Sequence, residues 1–291
     1  MAAVLLALAS AVLFGGMTVA LRFALSRHPE ADVGAVVTAS VAFAVVAAAA
    51  VVEPEPGEPA QPKELAVFAL AGLLAPGLSQ ILFLLAVREA GAARASVVVG
   101  TAPLFGGGLA VVFLDEPLEW PLAVGAVLVV VAGTLLAGES GRPAHFRLFG
   151  MGLALVTTLL FSIRDVVVRW YSEEATLGSV EAAAAALAAG VLVTLGFSAL
   201  ARRGGLLRAL SRPGLLSFVP AGALFGLSYV LLFDAYYRGK VTVVSPLVAT
   251  ESLWTVLLAA VLLRRSELVG ARLLVGALLV VSGGVLIGAN R

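Results

Sequence analysis

The chain has 291 residues, 61% of them hydrophobic and 13% charged, with a mean hydropathy of +1.07. A water-soluble domain of this length carries far more charge, and the apolar runs here alternate with short polar breaks, which is the pattern of a polytopic, all-α membrane protein. A net charge of +1 gives no basic surface for nucleic acid, and the absence of cysteine excludes disulfides, thiol chemistry and cysteine-ligated metal.

With about 20 apolar residues needed per crossing, ten transmembrane helices are predicted, at residues 2–26, 32–52, 65–88, 94–114, 119–138, 148–171, 178–201, 214–237, 241–263 and 267–289. The first lacks a basic leader and a cleavage site and reads as a span rather than a removable signal. It carries Phe14, Thr18 and Arg22 on one stripe, because residues three and four apart share a helix face. The segment Glu53 to Glu64 is acidic and proline-rich, and reads as an exposed loop. The third span offers Gln80 and Phe83 and is interrupted by Pro76-Gly77; the fourth holds Pro103 and Gly106-Gly107-Gly108.

A polar break from Gly138 to Arg147 divides the chain into residues 1–138, a connection at 139–147, and residues 148–291. In the sixth span Thr158, Phe161, Asp165 and Arg169 share a stripe, with Arg164 beside Asp165, and Asp165 is spaced to pair with Arg169. The eighth span has Pro220, Tyr229, Phe233 and Asp234. The ninth carries Ser245, Pro246, Glu251 and Trp254, with Glu251 near its middle. A carboxylate at that depth costs roughly 2.5–3.5 kcal/mol, so it is expected to face a bundle interior or a wet cavity.

The two parts repeat. Gly77-Leu78-Ser79 and Ala86 match Gly226-Leu227-Ser228 and Ala235 at an offset of 149, which also carries Ser96 onto Ser245 and Thr101 onto Thr250. Phe14 and Arg22 match Phe161 and Arg169 at 147, and Glu116 and Gly125 match Glu267 and Gly276 at 151. Five spans per repeat is an odd number, so the second half is expected to enter the membrane inverted, with a binding site near the midplane between the halves.

On these residues the sequence resembles the drug/metabolite transporter superfamily, in particular its ten-helix EamA type. The likeness runs through Phe14-Gly15-Gly16 to Arg22, Ala86 to Pro103 and on to Leu114-Asp115-Glu116, and Tyr236-Tyr237 through Ser245-Pro246 to Glu267. Phe14 departs from the tryptophan usual in the family, and Arg264-Arg265 before Glu267 is a second departure. The resemblance implies two five-helix repeats, residence in the cytoplasmic (inner) membrane, and export of amino acids or related metabolites.

The expected substrate site combines Phe14, Thr18, Arg22, Gln80, Phe83, Phe161, Arg164, Asp165, Tyr229, Phe233, Glu251 and Trp254: arginine for a carboxylate, acids for an amine, aromatic rings for an apolar part. Glu251 is the expected proton-coupling residue, and Pro103 and Pro246 the expected gating points, in helices broken at different places. Bland readings stand beside these: snorkelling for Arg22 and Arg169, a structural ion pair for Arg164 and Asp165, capping for Asp234, and simple packing for Trp254. No cofactor or metal is implied, and with no His or Cys in a span an intramembrane enzyme is not expected. The expected partners are a small-molecule substrate, the lipid bilayer and protons. Two alternatives are a flippase for a lipid-linked substrate, which needs a laterally open groove, and a passive facilitator. Lys and Arg number 13 at the odd-numbered connections and 5 at the even-numbered ones and C-terminus, which by the positive-inside rule places both termini outside. The resemblance implies the reverse.

Overall fold

The computed structural model describes residues 1–52, 61–113, 147–210, 213–263 and 270–289, with single positions at 120, 124, 127, 128 and 131. Among these residues all regular structure is helical: α1 (Ala2–Arg27), α2 (Ala31–Val52), α3 (Pro62–Gly72), α4 (Ser79–Ala90), α5 (Ala92–Val99), α6 (Ala102–Phe113), α7 (Leu148–Ser172), α8 (Ser179–Arg202), α9 (Leu206–Leu210), α10 (Val219–Arg238), α11 (Val241–Val248), α12 (Glu251–Leu262) and α13 (Ala271–Ala289). Seven helical stretches among them are long and apolar enough to cross a membrane, and shorter apolar helices accompany them. Most of the fifth predicted span, together with Glu116, Glu267, Arg264 and Arg265, lies outside the described residues.

Local chemistry explains the boundaries. α1 ends at Arg27, where the His28 N–H closes on Ala24 O and Pro29 cannot continue the ladder. α3 and α4 are parts of one span joined by a π-type turn at Leu73–Leu78, because Pro76 lacks the N–H that the helix requires and Ala75 leaves helical geometry at φ −142°, ψ 113°. Gly91, at φ 91°, turns the chain between α4 and α5 in a conformation that a side chain would strain.

The predicted third span begins earlier than expected. Pro62 opens α3, so Glu64 belongs to a first helical turn, and it is buried instead of exposed in the loop. Its carboxylate accepts from the Thr176 N–H at 2.9 Å and the Leu177 N–H at 3.1 Å, just ahead of α8. Asp32, in the first turn of α2, bonds Arg202 and Ser198 of α8. One acid from residues 1–138 is thereby fastened to each end of α8.

Helices pack through small residues, the expected solution where lipid is as apolar as a protein core. A Cβ on Gly72 would lie 2.2 Å from Ala186 O, so α3 and α8 touch backbone to backbone. Gly15 brings α1 close to α12, where a Cβ would lie 2.9 Å from Trp254 Cβ and 3.2 Å from Glu251 O. α1 also lies along α10, and α4 along α7.

Two predicted spans are each divided, and the divisions correct the expectation of unequal break points. The fourth is interrupted at Gly100–Thr101 and the ninth at Ala249–Thr250, positions 149 apart. In both, a threonine hydroxyl bonds back to a carbonyl three residues earlier: Thr101 to Val98 O at 2.7 Å and Thr250 to Leu247 O at 2.6 Å. That bond competes with continuation of the helix. Pro103 and Pro220 lie in the first turns of α6 and α10, where a missing N–H costs nothing, and Pro246 lies inside α11.

Candidate substrate site

The two interrupted spans meet α1, α7 and α10 around a small cavity. α1 contributes Ser10 and Phe14, α7 Phe161, Arg164 and Asp165, and α10 Ser228 and Leu232. Val99 and Ala102 flank the first break, and Ser245, Val248, Ala249 and Glu251 the second. The space is about 30 Å³, less than a metabolite needs.

Glu251 follows the tightened turn at Ala249–Thr250, where the backbone stays right-handed and helical, and is the first residue of α12. It is 2% exposed, and neither carboxylate oxygen has a hydrogen-bond partner among the described residues. A buried acid left unbonded is costly, and it persists where it serves a ligand.

The charged pair on α7 is, in contrast, fully engaged. Arg164 Nη2 lies 2.6 Å from Asp165 Oδ1, its Nε donates to the same oxygen at 2.8 Å, and its Nη1 donates to the Tyr229 hydroxyl. The guanidinium also stands 5.1 Å from the ring centroids of both Phe161 and Tyr229. The buried Tyr236 hydroxyl is within electrostatic reach of Asp165 and Arg164 but forms no well-shaped hydrogen bond. The expected pairing of Asp165 with Arg169 does not occur. Arg169 instead pairs with Glu173 and donates to Tyr236 O at 3.3 Å, because Arg164 is oriented by Tyr229 towards Asp165.

An aromatic cluster closes the apolar side. Phe14 meets Phe83 at 5.6 Å and Phe161 at 5.9 Å between centroids, and Phe233 stacks near Tyr229 at 5.2 Å. Five of the twelve expected site residues therefore line the cavity (Phe14, Phe161, Arg164, Asp165 and Glu251), and Phe83, Tyr229 and Phe233 form their support.

Four others sit elsewhere. Thr18 bonds Phe14 O of its own helix, Arg22 is buried near the end of α1, and Gln80 is fully buried with neither amide atom bonded among the described residues. Trp254 is 38% exposed: the buried stripe of α12 runs through Glu251, Ser252, Thr255, Val256 and Ala259.

Sequence reasoning missed Ser10 and did not place Ser228 at the cavity. Their hydroxyls lie 2.9 Å apart, and Ser10 donates to Ser228 O at 3.0 Å. A serine in an otherwise apolar run was the available signal, and only the crossing of α1 with α10 gives it a partner.

Fold and site together define a multi-pass membrane transporter. The chain matches the EamA-like transporter family, within the drug/metabolite transporter superfamily, over residues 1–138 and 148–289, and it belongs to that family. A solved structure described only as "Crystal structure of protein" shares its fold, with a TM-score of 0.61 and 19% identity over 98% of this chain and 95% of that one. No curated protein matches it.

Proposed function

We infer that this transporter exports a small polar or amphipathic metabolite, such as an amino acid, across the cytoplasmic membrane by alternating access, with Glu251 exchanging a proton against the substrate. The observation that carries this reading is the buried Glu251 carboxylate, unbonded among the described residues, at the edge of a small cavity between the two repeats. Arg164 is already held by Asp165 and Tyr229, so a substrate amine falls to Glu251, with the hydroxyls of Ser10, Ser228 and Ser245 beside it. The Phe14 and Phe161 rings offer contact to an apolar part.

A cavity of about 30 Å³ is smaller than a metabolite, so substrate binding requires movement. The breaks at Gly100–Thr101 and Ala249–Thr250 let α5, α6, α11 and α12 move as short rods, and Pro103 and Pro246 stand two and three residues from them. The orientation that goes with this reading has both termini in the cytoplasm.

The test is release of a labelled amino-acid mixture from proteoliposomes, wild type against Glu251→Gln, with and without a pH gradient. Release that responds to the gradient only in the wild type supports proton exchange through Glu251. Protein-dependent release that ignores both gradient and substitution identifies a passive facilitator. No release directs the search to other metabolites or to lipid-linked substrates.

A further inference from the structure

Residues that correspond between the repeats keep corresponding surroundings. Phe14 and its counterpart Phe161 touch each other, and the breaks at Gly100–Thr101 and Ala249–Thr250 carry the same threonine bond. Gly15, against Glu251 O, corresponds to Ser162, whose hydroxyl donates to Ala102 O at 3.2 Å; Ala102 is the counterpart of Glu251.

The polar wall of the cavity breaks this pattern. Ser10 and Ser228 bond each other there, whereas their counterparts stay apart: Thr157 donates to Leu153 O of its own helix at 2.9 Å, and the Ser79 hydroxyl has no partner among the described residues. Ser245 lines the cavity, and its counterpart Ser96 is buried without a partner among those residues. Behind the wall, Tyr229 accepts from Arg164, and both amide atoms of its counterpart Gln80 are likewise unbonded among the described residues. Ser79, Gln80 and Ser96 are each 0% exposed. An unsatisfied buried polar group is costly, and three at the counterparts of one cavity's polar wall and of the tyrosine behind it call for a ligand or a second state that satisfies them.

We propose that Ser79, Gln80 and Ser96 are a second polar wall of the substrate site, closed here and exposed when the pathway faces the other side of the membrane. In that state Ser79 pairs with Thr157 while Ser10 and Ser228 separate. The inference rests on the transporter reading above and specifies its chemistry. The observed wall carries the Arg164–Asp165 pair, whose counterparts are Met17 and Thr18, so the second wall has no equivalent ion pair. Glu251 stands where the walls join and serves both. The site therefore takes an amine- or hydroxyl-bearing substrate beside the Arg164–Asp165 pair on one side of the membrane, and offers it serine and amide hydrogen bonds on the other.

The chain has no cysteine, so single substitutions report cleanly. Ser79→Cys, Ser96→Cys, Ser228→Cys and Ser245→Cys in the full chain are treated with a small membrane-impermeant thiol reagent, in intact cells and in inverted vesicles. The expected result is reaction of the Ser79 and Ser96 variants in one preparation and of the Ser228 and Ser245 variants in the other. Reaction of all four from the same side, or inert Ser79 and Ser96 variants while the other two react, overturns the second wall. No substrate is needed. Opposite-sided labelling without release of any amino acid therefore sustains the wall and removes the amino-acid reading, and release without such labelling does the reverse.

Discussion

Arg164 and Asp165, neighbours in sequence, form a buried ion pair of 2.6 Å inside a membrane helix, and Tyr229 fixes the guanidinium from across the helix interface. The pair joins α7 to α10 and leaves Glu251 as the cavity acid without a hydrogen-bond partner among the described residues.

Breaking that pair strands a charge. Asp165→Ala is expected to destabilise the protein by about 3–5 kcal/mol, whereas a double replacement of Arg164 by Met and Asp165 by Leu costs less than either single change. Thermal unfolding in detergent, measured on the two single variants and the double, checks this; additive losses contradict it.

Glu251→Gln keeps the shape of the side chain and removes the charge. Because the carboxylate has no partner to lose, the expected change in melting temperature is small or positive, while the response of transport to a pH gradient disappears. A large drop in melting temperature would assign Glu251 to structure.

Glu64 fastens α3 to the start of α8 through two backbone N–H groups and the Thr176 hydroxyl. Glu64→Ala removes charge-assisted bonds worth about 1.5–3 kcal/mol each at most, so a net loss near the low end of that range is expected. Faster proteolysis around residues 173–178, read by mass spectrometry, is the accompanying signature.

At Gly72 the smallest possible side chain already collides with Ala186 O. Gly72→Ala is expected to cost about 1–3 kcal/mol by forcing α3 from α8, and Gly108→Ala, where nothing lies within 4 Å, is the control expected to be neutral or stabilising. Equal melting temperatures for the two variants would refute the close approach.

Orientation is decided by a C-terminal fusion to a reporter active only in the cytoplasm. Signal is expected, with both termini inside; its absence upholds the positive-inside count of 13 against 5.

The sequence alone determined the membrane class, most span boundaries and the burial of Glu251, since these follow from the length of apolar runs and the cost of a charge within one. It also carried the offsets of 147 and 149 that pair the two halves. It misplaced Trp254 and Glu64 and left Asp165 between Arg164 and Arg169, because helical spacing knows nothing of a helix's neighbours. Only the tertiary structure decided that Thr101 and Thr250 divide two spans at equivalent points, that Ser10 meets Ser228 across 218 residues, and that Tyr229 turns Arg164 towards Asp165. Those outcomes depend on which helices lie side by side, and in lipid that choice rests on the close fit of small residues and on polar side chains finding partners, more than on hydrophobicity.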